Sequence, residues 1–424
     1  MKNIQNRLLL LFVIVFLLSV PIYWSLNSGG FSTNSVIEGR ILNTFPKLGY
    51  VEFKRTIWLT LRGRFEEAQD VFLTGLFDQS IQPQFLNASL DQFPFRIDLI
   101  RLAKGSDRLL INTTYAILPD KAVPLDSKSK IYITKDGRTV IKDLLFFNES
   151  TKEKLEQRID NYEEIASKYP DKNFYVFYIE KIAYSKFDPR LPVYQDLDGG
   201  QSFDYFENHL PKNITLGMLG LSSIEDFNNY FYHTDHHWNI RGAWKAYQNI
   251  YEMVSKNYPG ISPVNDSIQY IKYPNLTCLG TYARDTLYPF KPEPFEIATV
   301  SLPDFYILKR DYKITYNQSD NYNRGIFSTD PYVSHYEKYF GANDGFLTYH
   351  FNNNATKNLL LVGTSYKIPI QPWIASHYQT SYFVNPVKIE NFSMEKFLKE
   401  HKVDDIIILT TMDELLNLND AINP

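Results

Sequence analysis

Leu359-Leu360-Leu361-Val362-Gly363-Thr364-Ser365-Tyr366 is a run of four apolar residues leading into a small polar turn. A continuous apolar run reads as a strand buried on both faces, which suits a parallel sheet covered by helices. Ser365 falls immediately past that strand, and in an open parallel sheet the carboxyl ends of the strands face ligands. Backbone N–H groups around such a turn can hold an oxyanion, with Gly363 allowing close approach of a reacting carbonyl.

The neighbouring text supports the same frame. Phe174 to Ile179 and Asp405 to Leu409 are further compact apolar strands. Thr151 to Tyr169 places Leu155, Ile159, Tyr162, Ile165 and Ala166 on one helical face. A second helix begins at the cap residue Asn239, with Ile240, Ala243, Trp244, Tyr247, Ile250, Tyr251 and Val254 recurring every three or four positions. Helices are also expected over Pro369 to Tyr378 and Ser393 to His401. Alternation of helix and buried strand predicts an α/β domain over 151–424. The Tyr- and Pro-rich stretch from about 260 to 354 reads as a mostly β insertion. Before it, 28–150 reads as a stalk and the first part of the body, with a helix over Arg64 to Leu76 and a hairpin whose strand Ile131-Tyr132-Ile133 leads into Asp136-Gly137.

Leu8 to Leu26 is almost wholly apolar and follows Lys2 and Arg7. Roughly 20 apolar residues cross a bilayer, and a positive flank stays on the cytoplasmic side. Residues 1–27 are therefore expected to be a single-pass anchor at the cell membrane, with the body extracytoplasmic. A cleaved signal peptide is the alternative. The lone Cys278 excludes an intrachain disulfide and a cysteine zinc cluster, and a net charge of −4 without a long basic run gives no footprint for nucleic acid. With 31 Tyr and 30 Phe, most aromatics are core and strand residues, and some are candidates to line a sugar-binding cleft.

The second motif is Tyr232-His233-Thr234-Asp235-His236-His237-Trp238-Asn239, at the entry to the capped helix. A hydrolase triad needs an aspartate that orients a histidine and a histidine that moves the nucleophile's proton. Asp235 and His237, two positions apart on one loop, meet that need; a polar loop that merely caps the helix is the plainer reading. With a strand-end serine elsewhere in the same framework, the pair specifies acyl transfer through a serine ester. His233, Asp235, His236 and His237 are all competent metal ligands, but four ligands on five consecutive residues rarely converge on one ion, so no metal is expected. The Asp-His-His run also matches metal-dependent phosphoesterases of that name, for which Asp196-Leu197-Asp198 would be the nearest further motif. Nothing calls for a cofactor.

Tyr232 to Trp238 with Gly242-Ala243, the block Gly363 to Tyr366, the stretch Glu38 to Pro46 and the stretch Tyr336 to Asp344 together resemble the DHHW proteins of low-GC Gram-positive bacteria. These are related to the SGNH domains of the alginate O-acetylation proteins. The resemblance covers most of the body and implies an SGNH-hydrolase-like, flavodoxin-like parallel sheet flanked by helices. It implies Ser365 as nucleophile, His237 as base and Asp235 as orienter, with the Asp-x-His ahead of the serine in the chain. Gly363, Tyr366, Lys181, Tyr232 and His236 are the accompanying candidates for substrate or oxyanion binding; Lys181 is equally readable as a solvated surface lysine. Two positions depart from many relatives: His233 stands for an Arg, and Thr364 for an Asp, although Thr364 matches the alginate subgroup. The implied activity is O-acetyl transfer to, or hydrolysis from, a cell-surface polysaccharide, with a polytopic membrane O-acyltransferase as donor. The competing expectation is a non-catalytic carbohydrate-binding or assembly protein of the cell envelope.

Overall fold

The computed structural model describes residues 33–43, scattered positions from 59 to 93, and 95–117, 123–124, 132–134, 137–142, 145–191, 196–264, 268–309, 312–316, 328–341, 344–389 and 392–417. The expected anchor and nearly all of the expected helix Arg64 to Leu76 lie outside these residues. Among the described residues, no helix is long and apolar enough to cross a membrane. The chain forms two compact units, 1–108 with 284–289, and 109–283 with 290–424.

In the first unit a two-stranded hairpin pairs Asn34–Ser35 with Arg40–Ile41. Its turn is held by charge. Arg96 grips Glu38 at 2.7 and 2.9 Å, Arg40 pairs with Asp91, and Asp91 also accepts the Asn43 N–H at 2.8 Å. The Arg40 hydrogen bond, above all, holds the Asp91 carboxyl well below the usual range.

The second unit is built on an eight-stranded sheet. In chain order its strands are β1 (Asn173–Ile179), β2 (Ile214–Leu219), β3 (Phe305–Lys309), β4 (Tyr312–Tyr316), β5 (Phe346–Phe351), β6 (Asn358–Gly363), β7 (Thr380–Val384) and β8 (Asp405–Thr410). Across the sheet they run β4-β3-β5-β7-β6-β8-β1-β2. The five strands from β7 to β2 are parallel, and β5, β3 and β4 extend one side antiparallel. Every residue of β6 and β8 is buried, as their unbroken apolar text requires in a sheet covered on both faces. Three of the strands within about 260–354 thus join the main sheet, while Gln269–Cys278 and Glu293–Thr299 form a separate hairpin.

Counted from β6, the parallel strands β6, β7, β8, β1 and β2 lie in the order second, first, third, fourth, fifth. That is the flavodoxin-like order entered partway round, with the strand of the first position supplied late in the chain. The chain leaves β6 for β7 on one side and then crosses from β7 to β8 on the other, and this reversal opens a crevice at the carboxyl ends of β6 and β8. This also explains why a loop following β2 precedes the β6 turn in sequence.

The helices follow from their caps. α1 (Glu149–Lys168) starts at Asn148, whose side chain accepts from the Thr151 N–H, and buries Leu155, Ile159, Tyr162, Ile165 and Ala166. α2 (Gln201–His209) packs on α1. α3 (Ile224–Tyr230) is capped by Ser223, and α4 (Ile240–Ser255) by Asn239, which accepts from the N–H groups of Arg241 and Gly242. Such caps satisfy donors that the first helical turn leaves unpaired. A short helix, Met412–Leu415, follows β8 with a capping box made by Thr411 and Glu414.

Candidate active site

The Ser365 turn hangs directly from β6. Thr364 is still extended, and a 3-10 turn begins at Ser365 and runs to Ile370. The Thr364 hydroxyl donates to Glu414, which ties the ends of β6 and β8 together. The Thr364 carbonyl accepts twice from one residue, from the Lys367 N–H at 3.3 Å and from Lys367 Nζ at 3.2 Å. Because the peptide is planar and trans, fixing this carbonyl also fixes the opposite direction of the Ser365 N–H. Burial, against the attraction of Glu414 and Asp344, pushes Lys367 down to about 7.

The Asp-His loop spans 231–239 between α3 and α4. A bridge between Phe231 and Trp238 closes its base, and the Asn239 N–H donates to the Tyr230 carbonyl at 2.8 Å. The Val140 and Tyr282 N–H groups donate to the His233 and Thr234 carbonyls at 2.9 and 3.0 Å, and side chains from elsewhere do the rest. Glu293 accepts from the N–H groups of His233 and Thr234, both at 3.0 Å, and from the Thr234 hydroxyl at 2.7 Å. His233 Nδ1 meets the Thr139 hydroxyl at 2.7 Å, and the Tyr366 hydroxyl donates to the His236 carbonyl. A Cβ on Gly280 would sit 2.3 Å from Asp235 Cβ, so only glycine lets that segment come this close.

Loop and turn meet in one relay. Asp235 Oδ1 lies 2.6 Å from His237 Nδ1, and His237 Nε2 lies 2.7 Å from Ser365 Oγ. A carboxylate facing Nδ1 fixes the tautomer: Nδ1 carries the proton and Nε2 is left to accept from the serine hydroxyl. Asp235 Oδ1 also accepts the His237 N–H at 3.0 Å, while Oδ2 accepts the Thr281 N–H at 2.7 Å and the Thr281 hydroxyl at 3.1 Å. Burial pushes the Asp235 carboxyl up, but the charge and hydrogen bond of His237, the His236 ring and the Thr281 N–H outweigh it, and it lies well below the carboxylate range. The His237 ring is sandwiched between His236, at a centroid distance of 3.9 Å, and Tyr336, stacked at 4.1 Å. The Tyr336 hydroxyl reaches the Ser365 carbonyl at 3.3 Å, so one tyrosine touches both the His237 ring and the Ser365 segment.

The accompanying candidates divide. His236 lines a cleft beside Asp235 together with Lys181, Lys142 and Tyr282, and burial with the neighbouring His237 pushes its ring down to about 3. Lys181 is not a solvated surface lysine, since its ammonium pairs with Asp413 across the ends of β1 and β8. Three expectations are corrected. Gly363 does not open a path for a substrate carbonyl: a Cβ there would meet Leu409 of β8 at 3.0 Å, so the glycine serves strand packing. Tyr232 is buried and stacked on Phe295, which makes it a core residue rather than a substrate contact. Tyr366 is likewise buried, its hydroxyl spent on bracing the His236 carbonyl.

Sequence reading missed Gly280, Thr281, Glu293 and Lys367. No local pattern marks them, since each acts on a segment distant in the chain or across a turn. Tyr336 lay at the head of a stretch singled out by resemblance, without a role.

Ligand atoms of Asp235, His236 and His237 fall within 4.8 Å of one another. Both ring nitrogens of His237 are engaged, however, so an ion held by all three would have to displace either Asp235 or Ser365 from that ring.

No family model matches the chain, and no curated protein matches it. Solved structures do. Bacillus cereus PatB1, determined with a sulfonyl adduct, is 15% identical, with a TM-score of 0.54 over 68% of this chain and 96% of that one. A DHHW family protein from Eubacterium siraeum DSM 15702 is 16% identical, with a TM-score of 0.52 over 70% and 96%. The O-acetyltransferase domain of Pseudomonas putida AlgJ also matches, at 14% identity over 68% and 93%, with a TM-score of 0.39. At these identities the first two likenesses establish a shared fold.

Proposed function

We propose that the chain is an extracytoplasmic serine O-acetyltransferase or O-acetylesterase of the SGNH type, acting on a cell-surface polysaccharide. The observation that carries this reading is the unbroken relay from Asp235 through His237 to Ser365. As Ser365 Oγ attacks the acetyl carbonyl, His237 Nε2 takes the hydroxyl proton, and Asp235 stabilises the resulting imidazolium. The Ser365 N–H, held in direction through the Thr364 carbonyl, donates to the oxyanion. Collapse expels the first alcohol with the proton from His237 and leaves acetyl-Ser365. A sugar hydroxyl or water then gives its proton to His237, attacks the ester and releases the serine.

Transfer requires an acetyl donor outside the cell, for which a polytopic membrane O-acyltransferase is the fitting partner. An anchor over Leu8 to Leu26 would hold the body beside it at the membrane.

The test uses the purified chain with a chromogenic acetyl ester and an oligosaccharide acceptor. Ser365→Ala and His237→Ala are each expected to lower kcat/KM by about 10⁴ or more. A sulfonyl fluoride, which would leave a sulfonyl adduct, is expected to label Ser365 in the wild type and not after His237→Ala. Acetylated oligosaccharide as product marks a transferase, and free acetate marks an esterase. A wild type no more active than Ser365→Ala returns the chain to the binding or assembly reading.

A further inference from the structure

A second concavity lies behind the Asp-His loop. It is an open groove of about 420 Å³, lined by the loop residues Phe231 to Thr234, by Asn228 and Asn229 of α3, by the start of α4 and by the hairpin of Gln269–Cys278 with Glu293–Thr299. Arg138, Arg241, Lys272 and Lys291 all face it, against two carboxylates, Glu293 and Glu296. Neither carboxylate is open to a ligand cation on equal terms. Glu293 is spent on the loop, where it accepts three hydrogen bonds, and Glu296 is held by Arg241 at 2.7 Å. Lys272 and Lys291 are exposed and have no ion-pair partner among the described residues. Arg241 lies over Tyr270, its guanidinium carbon 4.3 Å from the ring centroid, which holds the guanidinium at the wall.

The amino terminus of α4 lies at the same place, where the Asn239 side chain accepts from the Arg241 and Gly242 N–H groups. A helix of 16 residues adds its own partial positive charge there. Like charges gathered around a concavity repel one another, and an anion relieves that repulsion. Phe231 lines both this groove and the cleft where Asp235 and His236 stand, so the two are neighbours across one side chain.

The geometry points to an anionic subsite: the groove binds the carboxylates or phosphates of an acidic glycan whose hydroxyl or acetyl group is presented at Ser365. It rests on the catalytic reading for its purpose, but its binding is measurable without turnover. Lys272 and Lys291 supply the uncommitted charges, and Arg241, shared with Glu296, is fixed at the wall. Asn228 and Asn229, exposed on the rim, offer amides to the sugar hydroxyls.

Calorimetry on the full chain in neutral detergent would compare a galacturonate hexamer, a glycosyl phosphate oligomer and neutral xylohexaose. One or both anionic oligomers are expected to bind more tightly than xylohexaose, and more weakly as salt rises. The double variant Lys272→Glu/Lys291→Glu should weaken that binding by about tenfold or more while leaving small-ester hydrolysis and the thermal midpoint unchanged. Preference for the hexuronate or for the phosphate oligomer identifies which acidic group the groove takes. Equal binding of xylohexaose, no binding of either anionic oligomer, or anionic binding indifferent to the double variant would overturn the assignment. Small-ester activity that survives Ser365→Ala would instead sink the catalytic reading, and the calorimetric result would stand apart from it.

Discussion

The Ser365 turn and the Asp-His loop meet at the 2.7 Å contact of His237 with Ser365 and where the Tyr366 hydroxyl donates to the His236 carbonyl, yet different forces hold them in place. The turn is the end of a strand. β6 is paired on both sides, to β7 and β8, and buried along its whole length, so the main chain delivers Ser365 to the sheet edge. The loop has an isolated bridge at its base and main-chain hydrogen bonds from the Val140 and Tyr282 N–H groups to the His233 and Thr234 carbonyls, and the rest of its aim depends on single contacts from other segments: Glu293 beneath His233 and Thr234, Thr281 on Asp235, Thr139 on His233 and Tyr366 on the His236 carbonyl. A strand end tolerates change in its neighbours because many hydrogen bonds share the constraint. A loop braced by single contacts is exposed to each of them.

That contrast ranks the expected effects. Gly280→Ala should be the most damaging of the substitutions outside the triad, because the new methyl falls within 2.3 Å of Asp235 Cβ and the backbone on both sides must move. A displacement of the orienting carboxylate by even an ångström is expected to lower kcat by about a hundredfold, measured with the chromogenic ester. Activity within twofold of wild type would mean that the loop is held far more firmly than its contacts imply.

Next comes Glu293→Ala, which leaves two backbone N–H groups and a hydroxyl of the loop without their acceptor. A loss of about 3 kcal/mol in urea unfolding is expected, together with a fall in kcat. Unchanged stability would show that water or a neighbouring group replaces the carboxylate.

Lys367→Met examines the other side of the comparison. Burial pushes the Lys367 ammonium down to about 7, so between pH 7 and the ordinary lysine range the unfolded chain binds more protons than the folded one. Stability contributed by this group is therefore greatest at high pH and is lost as pH falls toward 7. Wild-type urea midpoints should rise from pH 7 to pH 9 relative to those of Lys367→Met, which lacks the titrating group. A parallel pair of curves would break this account. If the lysine also aims the Ser365 N–H, the variant lowers kcat more than it changes KM.

The smallest effect is expected for His236→Gln. With its ring pushed down to about 3, His236 stays neutral through the working range and contributes no proton to the pH profile. The acid limb of kcat/KM should keep its midpoint in the variant, even if KM shifts because the cleft loses a wall. A displaced limb would make His236 a coupled partner of His237 rather than a packing neighbour.

Much of the sheet was readable in advance, and so was the relay. β6, β8 and β1 are unbroken apolar runs, and their sequence pattern needs no tertiary context to be recognised as buried strand. β2 and β7 were not recognised. Ile214-Thr215-Leu216-Gly217-Met218-Leu219 is an edge strand with a half-exposed middle, and Thr380–Val384 follows a short helical segment without turn punctuation. The strands β3 to β5 were readable as β, but whether they form an insertion of their own or extend the main sheet depends on pairing, which periodicity does not encode.

For the site, the sequence by itself determined which residues could act: an aspartate and a histidine two apart on a capped loop, and a serine at a strand end. Local chemistry suffices for that, because helix caps, buried strands and turn residues are written within a few positions of one another. Only the tertiary structure decided that Gly363 packs on Leu409, that Tyr232 belongs to the core, and that Gly280, Thr281, Glu293 and Lys367 hold the reacting groups in place. Those roles depend on distances between segments separated by tens of residues, or on a side chain turned back onto its own turn, and residue type at one position carries no record of what folds against it.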